Sequence, residues 1–302
     1  MKIVYGTDLS LEAMPGAKLC SWIVDAYADD DEVSVQLVHA VPPPRRSYGQ
    51  TSALADDPDN LRRIKQGVRK WIEENIENAD SFDVFIDEGH PAEILEEQVL
   101  ASKANYLVLG QTGKGAFARM MLGSTSHQIA QDPPCKLLLA HREFPNFVDL
   151  ERICVAVDFE APSGRVLKAA SDLARHFSAG ISVIHAYAPP VTPTFGGPLI
   201  NYTVDENAAA QAEEIAERQM TEFLDEYSDA LEGLEVQSAI LQGTPTRQIV
   251  DFAANSGADI LCLGTRRSNR PDYNMLGTIA SGVVRHMPTT VLLVPPTNRW
   301  EK

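Results

Sequence analysis

The sequence predicts an α/β protein built from two similar halves, each with a parallel sheet that helices cover on both faces. Short apolar strands alternate with amphipathic helical stretches, which is the pattern of parallel α/β folds. The strands are continuously apolar, as buried strands should be, and do not alternate between apolar and polar residues. The same order of motifs also occurs twice along the 302 residues, and a chain of this length fits two domains.

The internal repeat covers most of the chain, from the first strand to the last. Both halves begin with a basic residue and an apolar run that ends in aspartate, and both have a strand that ends in His-Ala. Pro- and Gly-rich segments between these motifs differ in length and are expected to be exposed loops. We predict domains over 1–144 and 149–298. The matched pairs are 2–8 with 152–158, 35–40 with 181–186, 89–95 with 243–249, 105–110 with 259–264, 122–130 with 276–284, and 136–140 with 290–294.

Within the first half, the elements follow one another as strand, helix, strand. Pro91 follows Gly89-His90 and favours the first turn of a helix. The predicted strands are 2–7, 33–40, 82–87, 104–110 and 136–140. The predicted helices are about 11–28, 60–79, 91–103 and 124–131.

Composition and charge exclude several function classes. The chain has 26 Lys and Arg against 42 Asp and Glu, a net charge of −16, which argues against nucleic acid and anionic membranes as partners. No apolar run approaches the roughly 20 residues of a membrane span, and Asp8 interrupts any secretory signal. We expect the four cysteines to be buried apolar residues in a reducing compartment. We therefore expect a cytoplasmic protein.

A glycine-rich loop carries the strongest chemical signal. Gly110-Gln111-Thr112-Gly113 is separated by nine residues from Gly123-Ser124-Thr125, between a buried strand and a helix. Backbone amides at the start of a helix form an anion site, and glycine lets a ligand approach the backbone. We expect Ser124, Thr125 and Ser126 to cap this helix. The loop matches neither GxxxxGK[ST] nor GxGxxG.

The spacing G-2x-G-9x-G-[ST] after a VLG strand, with Asp8 ending the first strand, resembles the ATP-binding branch of the universal stress protein family. The resemblance covers both halves, so the chain is similar to a tandem member. It implies two doubly wound, Rossmann-like sheets of the adenine nucleotide alpha hydrolase-like type, each of strand order 3-2-1-4-5. It also implies that the last strands, KLLLA and TVLLV, pair and make the chain an internal pseudo-dimer, and it leaves a homodimer open.

The resemblance further implies a site for ATP, with or without Mg²⁺, in the first half. Asp8 would accept a hydrogen bond from the ribose or adenine, although Asp8 could instead cap the first helix beside Ser10. Lys114 could add positive charge. AMP, a cyclic nucleotide or another adenosine compound also fits this pattern. The residues implied to bind the ligand are Thr7, Asp8, Ala40, Gly110, Gly113, Gly123, Ser124 and Thr125.

The second half departs from the motif because Arg267 stands where the first half has Gly113. Arg266, Arg267 and Arg270 could fill the pocket, or their guanidinium groups could bind phosphate. We predict an altered, weaker second site and nucleotide in the first half alone. Its candidate residues are Asp158, Ala186, Gly264, Arg267, Gly277 and Thr278.

The expected function is a cytoplasmic ATP-binding stress-response regulator without a catalytic residue or a metal site. His39 and His185 are expected to be hydrogen-bonded residues at strand ends, and His127 to face solvent. Two alternatives remain: a slow ATPase or autophosphorylating phosphotransferase, and a nucleotide-independent module that binds other proteins. The sequence does not identify the protein partners.

Overall fold

A single ten-stranded sheet runs through both halves of the chain in the computed structural model. The structure describes residues 1–27, 33–41, 58–76, 79–111, 122–142, 150–196, 199–265 and 276–301. The first half contains β1 (Lys2–Gly6), α1 (Met14–Ala26), β2 (Ser34–Val41), α2 (Pro58–Asn75), β3 (Phe82–Glu88), α3 (Pro91–Ser102), β4 (Tyr106–Gly110), α4 (Ser124–Gln131) and β5 (Lys136–Ala140).

The second half repeats this order and adds a two-stranded hairpin and a short helix. It contains β6 (Arg152–Ala156), α5 (Ala161–Phe177), β7 (Gly180–Tyr187), β8 (Val191–Gly196), β9 (Leu199–Val204), α6 (Glu206–Glu226), α7 (Ser228–Leu231), β10 (Val236–Gln242), α8 (Pro245–Asn255), β11 (Ile260–Gly264), α9 (Thr278–His286) and β12 (Thr290–Val294). Short 3₁₀ turns cover Leu11–Ala13, Ala79–Ser81 and Arg299–Glu301.

The sheet order is β10-β7-β6-β11-β12-β5-β4-β1-β2-β3. Each half therefore has the predicted order 3-2-1-4-5, and the predicted α/β fold class is confirmed. Neighbouring strands within each half are parallel, whereas β5 and β12 are antiparallel, with Leu138 opposite Leu292. This pairing joins KLLLA to TVLLV, as expected from the sequence. It removes two apolar edges that would otherwise be open to other chains.

Apolar side chains cover both faces of this central pair of strands. Leu138 and Leu292 belong to the cluster on one face, and Leu139 and Leu293 to the cluster on the other. Each cluster contains residues of both halves, so the hydrophobic core continues across the junction on both sides of the sheet. This is the reason that β5 and β12 are apolar at successive positions.

The structure differs from the predicted elements in three places. The segment around β8 and β9, expected to be a loop, forms an antiparallel hairpin. β-branched and aromatic residues flank its glycines, and these residues favour strands. The first helix begins at Met14 after a 3₁₀ turn, and the second ends at Asn75, ahead of the predicted 79. The predicted domain boundary between 144 and 149 lies outside the described residues.

All four cysteines are buried and unbridged, as expected for small apolar residues. Among the described residues, no helix is both long enough and apolar enough to cross a membrane.

Candidate functional site

The candidate site lies at the carboxyl ends of β1 and β4, where the direction of winding reverses. Gly6 of β1 pairs with Leu109 of β4, so that Thr7 and Gly110 follow at the same edge of the sheet. The amide of Thr7 donates to the carbonyl oxygen of Val38 at 3.1 Å, which places the end of β2 beside them. Ligands of open α/β sheets bind in such a crevice.

The two ends of the glycine-rich loop meet directly. The Gly123 amide donates to the Gln111 carbonyl oxygen at 2.8 Å. The Ser126 hydroxyl donates to the Gly110 carbonyl oxygen at 2.8 Å. These bonds fix the start of α4 against the end of β4. The intervening residues, including Gly113 and Lys114, lie outside the described residues.

Helix α4 begins on Gly123, whose φ of −60° and ψ of 153° are those of an N-cap residue. The prediction that Ser124, Thr125 and Ser126 would cap the helix was wrong. A glycine N-cap has no side chain to accept from the first amides, and Ser126 turns back to β4. In the described part of the chain no side chain caps this helix. Its first-turn amides, together with the helix dipole, therefore favour an anion.

Helix α9 has the same start in the second half. Gly277 is its N-cap, with φ of −57° and ψ of 153°, and its amide donates to the Thr265 carbonyl oxygen at 2.8 Å. Described residues supply no side-chain cap here either. Gln111 and Thr265 thus have equivalent roles, and the repeated motif produces a repeated local geometry.

Asp8 organises the turn that follows β1. Its Oδ1 accepts hydrogen bonds from the backbone amide of Ser10, at 3.0 Å, and from the Ser10 hydroxyl. Ser10 is the N-cap of the 3₁₀ turn before α1. These contacts agree with the alternative prediction, in which Asp8 stabilises the start of the first helix beside Ser10. Leu9, between them, has a φ of +60°, a conformation that is uncommon for a residue with a Cβ.

The second half reproduces this strained turn. Oδ1 of Asp158 accepts from the Glu160 amide at 3.1 Å and from the Ser163 hydroxyl at 2.7 Å. Phe159, the counterpart of Leu9, has a φ of +61°. Bulky residues are held in this region only where surrounding contacts impose it, and such strain often marks functional sites.

Two histidines support the ends of the first strand of each half, as expected from the sequence. Nδ1 of His39 lies 2.9 Å from the Thr7 carbonyl oxygen, and Nδ1 of His185 lies 2.8 Å from that of Val157. Because a carbonyl oxygen only accepts, Nδ1 carries the proton and donates in both cases. His127 is exposed on α4, as expected.

A cavity of about 100 Å³ lies in the second half, at the place the repeat predicts. It brings together five of the six predicted residues of this half, while Arg266, Arg267 and Arg270 lie outside the described residues. The hydroxyl of Thr265 is buried and has no hydrogen-bond partner in the described part of the chain. The predicted residues that line the cavity are Asp158, Ala186, Gly264, Gly277 and Thr278.

Sequence reasoning missed Gln111, Thr265 and Ser163, although each is part of the local geometry. Gln111 and Thr265 directly follow β4 and β11, so their equivalent positions in the repeat were the available signal. Over the described ranges, no group of three or more His, Cys, Asp or Glu residues could hold a metal ion.

Comparisons with known proteins agree with this architecture. The model of the universal stress protein family matches residues 1–141 and 150–295. Universal stress protein Rv2005c of Mycobacterium tuberculosis is 22% identical over 298 residues, which cover 96% of each chain. Universal stress protein Rv2319c of the same organism is 26% identical over 204 residues, 64% of this chain, and the chain matches only 65% of that relative's length.

A solved structure shares the whole fold. The crystal structure of a universal stress protein from Archaeoglobus fulgidus aligns over 98% of both chains with a TM-score of 0.68 and 18% identity. At this identity the likeness concerns the fold alone. The two matches of the family model, however, cover nearly the whole sequence. The chain belongs to the universal stress protein family.

Proposed function

We propose that this chain is a stress-response protein that binds an adenine nucleotide, preferentially ATP, in the crevice of its first half. The observation that carries the proposal is the start of α4 at Gly123. Its first amides have no side-chain cap among the described residues and lie beside the ends of β1 and β4. Helix N-termini of this kind bind phosphate groups.

The surrounding residues suit the remaining parts of a nucleotide. Ser124 and Thr125 place hydroxyl groups on the first turn of α4, where they can donate to phosphate oxygens. The Asp8 carboxylate can accept from a ribose hydroxyl or an adenine amine while it holds Ser10. Ala40, in β2 beside the end of β1, would meet the adenine through its backbone. Gly110 and Gly113 would let the ribose and phosphates approach the chain.

The second half is proposed to bind nucleotide weakly or not at all. Val157 stands where the first half has Thr7, so one hydroxyl group is absent. Arg267 replaces Gly113 and adds bulk and charge. The principal nucleotide is therefore assigned to the first half, with a stoichiometry of one per chain.

The proposed role is that of a cytoplasmic sensor rather than a metabolic enzyme. Binding of an anionic ligand to an exposed helix start changes the charge and order of the neighbouring surface, which other proteins can recognise. Slow hydrolysis would reset such a sensor. If steady-state phosphate release were well above the spontaneous rate of ATP hydrolysis, the chain would be an ATPase and not a sensor.

Two measurements test the proposal. The purified chain is denatured, and the released small molecules are separated by chromatography to detect an adenine nucleotide. Calorimetric titrations of nucleotide-free chain with ATP, AMP and cyclic AMP then give affinity and stoichiometry. We expect about one ATP per chain. Two equivalent sites would contradict the assignment to the first half. Absence of both co-purified nucleotide and binding would favour a nucleotide-independent interaction module.

A further inference from the structure

The two ends of the ten-stranded sheet carry equivalent helices of opposite charge. Helix α2 packs against β3, the terminal strand at one end, and α6 packs against β10, the terminal strand at the other end. Helix α2 follows β2, the second strand of its half, and α6 follows the second strand β7 after the hairpin β8–β9. They are the counterparts of each other in the internal repeat.

Helix α2 has a cationic face on a chain whose net charge is −16. The whole helix has five basic and three acidic residues, but its segment 61–70 contains all five basic residues and no acidic one, and all five are exposed. Leu61, Arg62, Lys65, Gln66 and Arg69 line a shallow groove of about 500 Å³. Arg62 and Lys65 have no ion-pair partner among the described residues. The five basic residues are Arg62, Arg63, Lys65, Arg69 and Lys70.

Helix α6 is strongly anionic. It contains seven carboxylates and a single basic residue, Arg218. Its carboxylates are all exposed, and within the described residues none of them forms a salt bridge. The acidic residues are Glu206, Glu213, Glu214, Glu217, Glu222, Asp225 and Glu226.

We propose that two copies of this chain associate through these helices, with the cationic face of α2 in one copy against α6 of the other. The helices have 18 and 21 residues, or lengths of about 27 and 31 Å, so their charged rows can run alongside each other. Complementary charge of this kind sets partner and orientation. The contact joins two different patches, so it is heterologous.

Salt screens the long-range repulsion between two acidic chains more strongly than the attraction between helices in contact. At about 0.15 M salt the Debye length is about 8 Å, so charges on distant parts of the two copies are largely screened. Facing helices about 8–10 Å apart still interact. At about 1 M salt the Debye length falls to about 3 Å, and the contact is lost.

The test uses charge reversal in two separate variants of the full chain. The first is Arg62→Glu with Lys65→Glu, which makes both helices acidic. The second is Glu214→Lys with Glu217→Lys, which replaces two negative charges of α6 by two positive ones. A matched control, Glu93→Lys with Glu97→Lys on exposed positions of α3, changes the net charge by the same amount and sign as the α6 variant but touches neither helix.

Sedimentation velocity at about 0.1 mM chain and about 0.15 M salt measures the association. The wild type and the α3 control should associate, whereas each helix variant alone should associate at least about tenfold more weakly. A one-to-one mixture of the two variants should form a heterodimer, because one cationic α2 then meets one acidic α6. A monomeric wild type, or no heterodimer in the mixture, overturns the proposal. Neither result bears on nucleotide binding.

Discussion

The Trp22 ring in α1 stacks on the Phe177 ring in α5, with centroids 3.5 Å apart and planes within 7°. At the C-cap of α1, the Tyr27 ring stacks on the ring of His176 with centroids 3.7 Å apart. Residues of α1 and α5 thus join the two halves on one face of the sheet, beside the pairing of β5 with β12.

This stack predicts a measurable coupling between the halves. Trp22→Ala should lower the free energy of unfolding by about 2 kcal/mol, because a large, partly buried ring is removed. A double-mutant cycle with Phe177→Ala should give a coupling of about 1 kcal/mol, as is typical of aromatic pairs. Urea unfolding of the four chains measures it.

Trp71→Ala in α2 provides the matched control, since Trp71 is also partly buried in the same apolar cluster but lies in a different helix. Its effect should add to that of Phe177→Ala. Additive effects for Trp22 and Phe177 as well would mean that the two rings do not stabilise each other across the junction.

The sequence predicted the junction of strands but not this junction of helices. KLLLA and TVLLV are apolar at successive positions, so each needs cover on both faces and a partner at its edge. An amphipathic helix such as α1 shows only that one of its faces is buried, because periodicity carries no information on which helix packs there. The stack of Trp22 on Phe177 therefore required the structure.

The candidate site was predictable to the extent that it depends on backbone geometry. The repeat placed Asp158, Gly264 and Gly277 at equivalent positions, and the structure brings them to one cavity. The N-cap was mispredicted because the hydroxyl residues that follow Gly123 are common at N-caps. In the structure the helix begins at Ser124, so that Gly123 is itself the N-cap. Where a hydroxyl group turns depends on nearby carbonyl groups, such as that of Gly110 for Ser126, and spacing does not reveal it.

A carboxylate placed at the start of α4 should stabilise the fold and abolish nucleotide binding. In Gly123→Asp, the φ and ψ of the N-cap position suit aspartate, whose side chain accepts from the first-turn amides. We expect a gain of about 0.5–1 kcal/mol in unfolding free energy. The same carboxylate occupies the proposed phosphate site and repels the ligand, so ATP affinity should fall at least about 100-fold. Thermal unfolding and calorimetry measure the two effects.

Two variants isolate the cause. Gly123→Asn adds a side chain of nearly the same size and capping ability but without charge, and should retain far more ATP affinity than Gly123→Asp. Gly277→Asp should stabilise α9 in the same way and leave the affinity of the first half unchanged. Wild-type ATP affinity in Gly123→Asp would mean that the phosphates bind elsewhere.

The buried cysteines should be unreactive in the folded chain and should make stability fall at alkaline pH. Burial raises the pKa of Cys135 and of Cys154 to about 12, so both remain protonated in the fold. In the unfolded chain a thiol ionises near pH 8.5. The stabilisation is thus complete below about pH 8.5 and is lost as pH rises towards 12, by up to about 1.4 kcal/mol per pH unit for each thiol.

Urea unfolding between pH 8 and pH 10 measures how steeply the free energy of unfolding falls with pH. The wild type is compared with Cys154→Ala, which removes one titrating thiol. The variant should be less stable at pH 8 but lose stability less steeply, while buried tyrosines contribute equally to both chains. A thiol reagent at pH 8 should modify none of the four cysteines before denaturation and all four after it. Equal slopes for the two chains would contradict the protonated state of Cys154 in the fold.

Arg299, near the end of the second half, should stabilise the first half around α4. Its guanidinium group donates to the carbonyl oxygen and to the carboxylate of Asp132 and pairs with Glu96, while its amide donates to the Pro134 carbonyl oxygen at 2.9 Å. Asp132 is the C-cap of α4. The planar, forked guanidinium group serves both carboxylates at once, whereas the lysine ammonium group is a point charge. Arg299→Lys should therefore lower the free energy of unfolding by about 1–2 kcal/mol and increase hydrogen exchange at the end of α4.

The control is Arg247→Lys, which alters an exposed ion pair with Asp251. It should change the free energy of unfolding by less than about 0.5 kcal/mol. If the two substitutions cost the same, the contacts of Arg299 across the junction are no stronger than a surface ion pair.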